Sequence, residues 1–161
     1  MQTTALETRY TGSESAELLA EILQSGAAVR IQVTGSSMRP IIRGGDLILI
    51  RKVSAQKLHR GDIVWFINTD GKHMAHRILR KQLRTGNVYF HTKGDAQVEY
   101  DPWTPAGKIL GKIYAVEKDR PNRPSKILDL ETPGWQLAGR LIAYLQIAVS
   151  KMVLAARSRL T

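Results

Sequence analysis

The chain has 161 residues, of which 43% are hydrophobic, and it contains no cysteine. This length predicts one domain with at most a small appendage, and the hydrophobic fraction suffices for a packed core. The absence of cysteine excludes a disulfide scaffold, a thiolate zinc site and a cysteine nucleophile. Lys and Arg outnumber Asp and Glu by 24 to 14. Such an excess attracts polyanions in general, and charge alone does not choose among nucleic acid, anionic lipid and acidic peptide.

The first part of the chain predicts a helix. It runs from Ser13 to Gln24, with Ser13 or Ser15 as its cap and Gly26 at its end. One face of this helix is apolar, with Leu18, Leu19, Ile22 and Leu23. The N-terminus has no basic start followed by an apolar core, so no secretory signal is predicted. No uncharged apolar run is long enough to predict a clear membrane-spanning helix.

Six short segments then predict strands in quick succession. Each is β-branched or aromatic, is bounded by Gly, Asp or Asn, and follows the last without an intervening helix. The segments are AAVRIQVTG, DLILIRKV, GDIVWFIN, HMAHRILRKQ, NVYFHTKG and ILGKIYAVEKD. This pattern predicts a mainly β fold, a folded antiparallel sheet or β-barrel, with a helix at each end.

Composition divides the chain into four predicted parts. They are an N-terminal helical segment, a β-rich domain, a linker rich in proline and charge, and a C-terminal helix, at 1–27, 28–119, 120–134 and 135–161.

The C-terminal segment from Trp135 to Arg157 predicts an amphipathic helix. On a helical wheel one side carries Gln136, Arg140, Gln146, Ser150, Lys151 and Arg157, and the other carries Leu137, Leu141, Leu145, Ala148 and Met152. Arg140 and Lys151 interrupt the apolar stretch too early for a transmembrane span. The helix is therefore expected at a membrane surface or against a partner, or packed on its own β domain.

Candidate chemistry begins with the serines and histidines. A serine hydroxyl needs a base to take its proton, and histidine, with an ordinary pKa of about 6.5, suits that task. The turn residues His59 and His73 are predicted to be exposed, and His91 lies on a strand, on the face opposite Phe90. His76 lies inside the strand segment MAHRIL. A Gly-Ser-Ser corner, which includes Ser37, is more often only a turn.

The order of four short motifs adds a more specific signal. The strings GSSMRP, RGDIVWF, HRIL and HTKGDAQVEYD follow one another between Val33 and Val116. In this order they resemble the type I signal peptidases, and most closely their histidine-using branch, which includes the catalytic subunit of the endoplasmic reticulum complex and archaeal relatives. The resemblance implies a serine endopeptidase of the fold that signal peptidases share with LexA-like proteins.

The resemblance also implies roles for particular residues. The serine before Met in GSSMRP, Ser37, would be the nucleophile, and the histidine of HRIL, His76, the base. The third member would be Asp101, six positions beyond the aspartate of the KGD motif, with Asp95 as a rival. The relatives that use lysine as the base place it where His76 stands here.

The Gly-Ser-Ser corner also predicts which groups surround the nucleophile. The N–H of Ser37 is expected to stabilise an oxyanion, and Ser36 would add a second donor if the corner turns it inward. The serine that the family often carries two residues before the nucleophile is replaced by Gly35. Met38 and Pro40 are expected to wall a substrate groove. The runs VRIQVTG and DLILIRKV would make that groove apolar, with an edge strand that pairs with an extended peptide.

Three functions remain open at this stage. The first is a serine endopeptidase that cleaves a leader or signal segment from a protein or peptide. The second is a non-catalytic relative that binds peptides or membranes, and the third, disfavoured by a short N-terminal part and the absent lysine base, is a LexA-like self-cleaving DNA-binding regulator. The expected partner is a peptide or protein substrate and not nucleic acid. No cofactor or metal is expected, and the expected location is cytoplasmic or peripheral to a membrane.

Overall fold

The computed structural model describes residues 6–7, 14–119 and 124–157. The helices are α1 (Glu14–Gln24) and α2 (Pro133–Arg157). The strands are β1 (Leu6–Glu7), β2 (Val29–Gln32), β3 (Leu47–Arg51), β4 (Ile63–Ile67), β5 (His73–Arg84), β6 (Asn87–Lys93), β7 (Thr104–Pro105), β8 (Ile109–Lys118) and β9 (Lys126–Asp129). Short 3₁₀ turns cover Ala55–Lys57 and Ala106–Lys108.

The strands form one curled, mainly antiparallel sheet, a half-barrel with α2 as its C-terminal helix. Their order is β1-β2-β3-β8-β4-β5-β6-β7, and β9 pairs with β8 beyond the end of β4. Only the β1–β2 pairing is parallel among the described strands. All six strands predicted from the sequence are present, so the prediction of a mainly β fold is confirmed.

Three strands were not foreseen, for the physical reason that each lacks a pattern of its own. β1 and β7 have only two residues each, too few to show alternation. β9 lies inside the stretch predicted to be a linker, because its proline- and charge-rich surroundings mask a four-residue strand. Of this predicted linker, residues 120–123 lie outside the described residues.

Two apolar clusters fill the inside of the sheet. The larger lies beneath α1, where Leu19 and Leu23 pack with buried residues of β2, β3 and β8. The smaller surrounds Phe66 and Phe90 in β4 and β6. Burial of such side chains contributes about 1.5–3 kcal/mol each. The two clusters hold the strands that carry the site.

The ends of α1 agree in part with those predicted from the sequence. Gly26, at φ +87°, takes the left-handed conformation that closes a helix, and its N–H binds the Leu23 carbonyl at 3.2 Å. Ser13, one of the two predicted caps, lies outside the described residues. Ser15, the other, lies within the helix instead of before it.

An amphipathic helix ordinarily packs on its domain through its apolar side, whereas α2 packs through its polar side. Its contacts with the domain are made by the side that carries Gly139, Ala143, Gln146 and Ser150, all buried or half-buried. The leucine side is exposed, with Leu137, Leu141 and Leu145 all more than half exposed. The helix therefore packs on its own domain, one of the predicted alternatives, but through its polar and small residues.

A candidate active site

Ser37 lies in a tight corner between β2 and β3. The corner is held by the hydrogen bonds from Arg39 N–H to Ser36 O (3.2 Å) and from Ile42 N–H to Met38 O (3.0 Å). Met38 and Ile42 are almost completely buried, which anchors the corner in the larger apolar cluster. A turn fixed at both ends thus projects the serine hydroxyl from a rigid base.

The loop after β6 closes against this corner. Ala96 N–H donates to the Ser37 carbonyl at 2.8 Å. A Cβ at Gly94 would lie 2.8 Å from the same carbonyl, so only glycine permits the close approach. The buried Lys93 reaches along the loop to the Gln97 carbonyl at 2.5 Å. Lys93 and Gly94 of the KGD motif therefore hold this loop close to the serine corner.

His76 is the fourth residue of β5, is paired with Val64 of β4, and is fully buried. Its Nε2 lies 3.1 Å from Ser37 Oγ, and its Nδ1 lies 2.7 Å from Asp101 Oδ2. A carboxylate accepts and cannot donate, so the Nδ1 proton donates to Asp101. Nε2 is then left to accept the proton of the Ser37 hydroxyl, which is the arrangement that a general base requires.

Asp101 is held independently of His76. Its N–H donates to the Thr92 carbonyl at 3.0 Å, and Thr92 Oγ1 donates to Asp101 Oδ2 at 2.7 Å. Burial acts to raise the pKa of Asp101, but the hydrogen bond and charge of His76 and the hydrogen bond of Thr92 outweigh it. The pKa of the carboxyl therefore lies below its ordinary value. Asp101 is thus kept ionised beside the imidazole.

Asp95, the rival third residue, meets a different cation. Its two oxygens accept from Arg77 Nε and Nη2 at 2.8 and 2.6 Å, a bidentate pair with both side chains 3% exposed. Arg77 follows His76 in β5 and points to the opposite face. The geometry therefore brings Asp101 to the histidine and does not bring Asp95 there.

The other histidines divide between surface and interior. His59 is exposed, as predicted. His73 was expected to be exposed and is instead half-buried, because β5 begins at this residue and lays its ring 5.5 Å from that of Trp65. His91 stacks between Tyr100 and Trp103, at 4.7 and 4.6 Å between ring centroids. Burial and the nearby Arg80 lower its pKa, and Asp101 opposes them.

A cavity of about 190 Å³ opens beside Ser37. The extended residues from Val33 to Gly35 form one wall, and the start of β5, His73–Ala75, forms the other. Met38 lines the cavity, as expected, whereas Pro40 is exposed and does not line it. The segment DLILIRKV contributes no lining residue, because β3 lies between β2 and β8 in the sheet.

Polar groups at the edges of this cleft have no partner in the described chain. β6 pairs with β5 only from Arg77 onward, so the edge of β5 from His73 to His76 has no strand partner on that side among the described residues. Trp65 Nε1 and His73 Nδ1 are buried there without a hydrogen-bond partner in the described chain. Buried polar atoms of this kind are rare unless something else binds them.

The N–H of Ser37 is the predicted oxyanion donor. Within the described parts of the chain, no protein acceptor takes the N–H of Ser37. Ser36 is exposed, and a Cβ at Gly35 would meet nothing within 4 Å, so the space for a second hydroxyl is empty of protein. The N–H of Ser37 is therefore available to a ligand, and its role as an oxyanion donor stays a prediction.

Several residues of the site carry no sequence signal strong enough to single them out. Thr92 was missed, although it stands immediately before KGD. Gln146 was also missed: from α2 its Nε2 donates to Asp95 Oδ1 at 2.7 Å. The described residues contain no group of three His, Asp or Glu side chains placed to hold a metal ion.

Two comparisons with known proteins bear on this site. A family model described as Peptidase S24-like matches residues 2–114, a range that includes the serine corner, β5 and the loop that follows β6. A search of curated proteins gave no match.

Proposed function

Because the chain belongs to the Peptidase S24-like family, we propose that it is a serine endopeptidase and that it acts in the manner of a type I signal peptidase, cutting a leader or signal segment from a protein or peptide. The observation that carries the proposal is the contact of Ser37 Oγ with His76 Nε2 at 3.1 Å, with Asp101 on the other ring nitrogen at 2.7 Å.

The reaction follows from these contacts. His76 Nε2 accepts the hydroxyl proton while Ser37 Oγ attacks the scissile carbonyl carbon, and the carbonyl oxygen becomes an oxyanion beside the Ser37 N–H. One such donor supports the transition state by about 3–4 kcal/mol. The imidazolium is stabilised by the ionised Asp101 and returns its proton to the leaving amine as the C–N bond breaks.

The acyl-enzyme is then hydrolysed by the same groups. His76 accepts a proton from water, the resulting hydroxide attacks the ester carbonyl, and the proton passes back to Ser37 Oγ as the carboxylic acid leaves. Histidine needs no large pKa depression for this work, whereas a lysine base would need one of several units.

The substrate lies in an extended form between Val33–Gly35 and the open edge of β5. A peptide strand added to that edge places its carbonyls and N–H groups in register with His73–Ala75 and directs one residue to the Ser37 corner. The buried Trp65 Nε1 and His73 Nδ1 support a polar contact with the occupant of the cleft. The preference for small residues near the cut is inferred from the resemblance to signal peptidases.

The proposal is tested with a fluorophosphonate probe and an alanine-rich leader peptide. We expect wild-type protein to form a covalent adduct at Ser37 and to cut the peptide, and Ser37→Ala and His76→Ala to lose cleavage by about 10⁴-fold or more. Ser54→Ala is the matched control, since Ser54 is exposed and does not line the cleft.

Two results would contradict the proposal. One is equal labelling and cleavage by wild-type protein and Ser37→Ala. The other is an unreactive Ser37 in a protein that still binds the peptide, which would favour the non-catalytic alternative. Intact-mass measurement of the incubated protein separates cleavage of an added peptide from self-cleavage.

A further inference from the structure

An apolar stripe runs along the outer side of α2, and no element in the described parts of the chain covers it. Its residues lie three or four positions apart and form one row: Leu137, Leu141, Leu145, Ala148 and Met152. The side chains of Leu145 and Met152 are 65% and 71% exposed. This row is continued at its sides by the exposed Tyr144 and Val149. A contiguous apolar surface of this size marks an interaction site.

Cations border this stripe on one side. Arg140, Tyr144 and Lys151 are four and seven residues apart, so they form a second row beside the first. The guanidinium of Arg60 lies over the Tyr144 ring at 4.6 Å and brings a further positive charge from the β domain to the same edge. An apolar stripe bordered by Lys and Arg is the pattern of helices that lie in a membrane surface.

A basic cavity adjoins that edge. It has a volume of about 230 Å³ and lies between α2 and the segment that joins β3 to β4. Its lining includes Lys57, Arg60 and Arg140, and none of these three has a carboxylate partner among the described residues. Two other lining cations, Arg77 and Lys112, are paired with Asp95 and Asp62. The cavity therefore offers surplus positive charge where the apolar stripe begins.

We propose that α2 lies in the surface of an anionic phospholipid membrane, with the leucine stripe among the acyl chains and Arg60, Arg140 and Lys151 on the headgroup phosphates. This inference is independent of the peptidase proposal. The charge of the surface favours lipid over a second copy of the chain, since anionic headgroups neutralise Arg60, Arg140 and Lys151, whereas a second copy brings a face with the same cations.

The polar contacts of α2 distinguish this arrangement from a membrane span. By length and composition Pro133–Arg157 is sufficient to cross a bilayer, with a mean hydropathy of 1.4 over its most apolar window. Yet its middle is fixed to the domain, with Gln146 on Asp95 and Ser150 on the Val98 carbonyl at 3.1 Å. A crossing helix would lose both contacts. A helix in the surface keeps them and holds the loop that carries Asp101 close to the membrane.

Vesicle sedimentation of the full chain tests the proposal. Wild-type protein is expected to sediment with vesicles of phosphatidylcholine and phosphatidylglycerol, to bind phosphatidylcholine alone much more weakly, and to be released by high salt. Leu145→Glu should weaken binding by about ten-fold or more. Arg140→Ala should weaken it by about five-fold on anionic vesicles alone. Leu83→Glu is the matched control, because Leu83 is an equally exposed leucine, 69%, in the β5–β6 hairpin.

Urea unfolding without vesicles establishes that each variant is folded. If Leu145→Glu does not fold, Arg140→Ala provides the test. Four results would overturn the proposal. They are equal binding of wild type to neutral and anionic vesicles, binding by folded Leu145→Glu equal to that of Leu83→Glu, a concentration-dependent dimer that Leu145→Glu abolishes, and retention on vesicles after an alkaline carbonate wash. The third result assigns the stripe to a second copy, and the fourth to a membrane span.

Discussion

His76 and Arg77 leave β5 on opposite faces, and each meets a carboxylate from the loop between β6 and β7. Asp101 accepts from His76 and Thr92 and is 18% exposed, whereas Asp95 accepts from Arg77 and Gln146 and is 3% exposed. The two carboxylates are only six residues apart, yet one is bound to the histidine that contacts Ser37 and the other lies beneath α2.

Arg77 and His76 differ in whether they can take part in proton transfer. An arginine is always charged, and Arg77 also donates from Nη1 to the Gly61 carbonyl at 2.8 Å, so its pair with Asp95 is buried and held in place by a third hydrogen bond. The imidazole of His76 can gain and lose a proton and has a hydroxyl on its second nitrogen. One strand thus carries a reactive array on one face and a structural ion pair on the other.

The largest effect is expected for Asp101→Asn. We expect the rate of peptide cleavage to fall by about 10⁴-fold, because an amide no longer holds the imidazole in the correct tautomer. The measurement is kcat/KM, with the urea midpoint recorded in parallel. If Asp95→Asn instead caused this loss while Asp101→Asn cut normally, the two carboxylates would have exchanged roles.

Asp95→Asn is expected to change stability more than chemistry. Removing one partner of a buried ion pair costs about 3–5 kcal/mol, because Arg77 is left buried and charged. Urea unfolding measures this loss. Asp70→Asn is the control, since Asp70 is exposed in a hairpin turn. A loss no larger than that of the control would show that Asp95 is not needed to hold the loop.

A pair of glycine substitutions examines how α2 is held over Asp95. Gly61 and Gly86 both have positive φ, at +95° and +79°. A Cβ at Gly61 would lie 2.6 Å from Gly139 C and Arg140 N, whereas at Gly86 it would meet nothing within 4 Å. Both alanine variants carry the left-handed backbone cost, and Gly61→Ala should lose about 1–3 kcal/mol more. Equal urea midpoints for the two variants would contradict close docking of α2.

The smallest effect is a pH dependence of stability. The pKa of Asp101 is lowered in the folded protein from its ordinary value of 3.8. Its ionisation therefore stabilises the fold above that value, and the contribution disappears as the pH falls through the lower folded pKa. The difference in unfolding free energy between wild type and Asp101→Asn should therefore shrink as the pH falls below 3.8. If this difference instead grew in acid, the pKa of Asp101 would be raised in the folded protein and not lowered.

Much of the fold was predictable because the six predicted strands are rich in β-branched or aromatic residues and are bounded by Gly, Asp or Asn. The serine and the histidine could also be singled out, since GSSMRP and HRIL stand in a recognisable order. His73 could not be placed, because a turn residue and the first residue of a strand look alike in sequence. Thr92 and Gln146 could not be found either, since their roles depend on contacts with residues far along the chain.

The sequence by itself determined six of the nine described strands and the chemical groups available, because strand composition, turn residues and side-chain identity are local properties. It left two candidate carboxylates on one loop, and it left open what the leucine face of the last helix would contact. Only the tertiary structure decided these points. Thr92 and His76 hold Asp101, Arg77 and Gln146 hold Asp95, and the close approach of Gly61 to Gly139 turns the polar side of α2 inward. Each of these contacts joins separate elements, so no local pattern contains it.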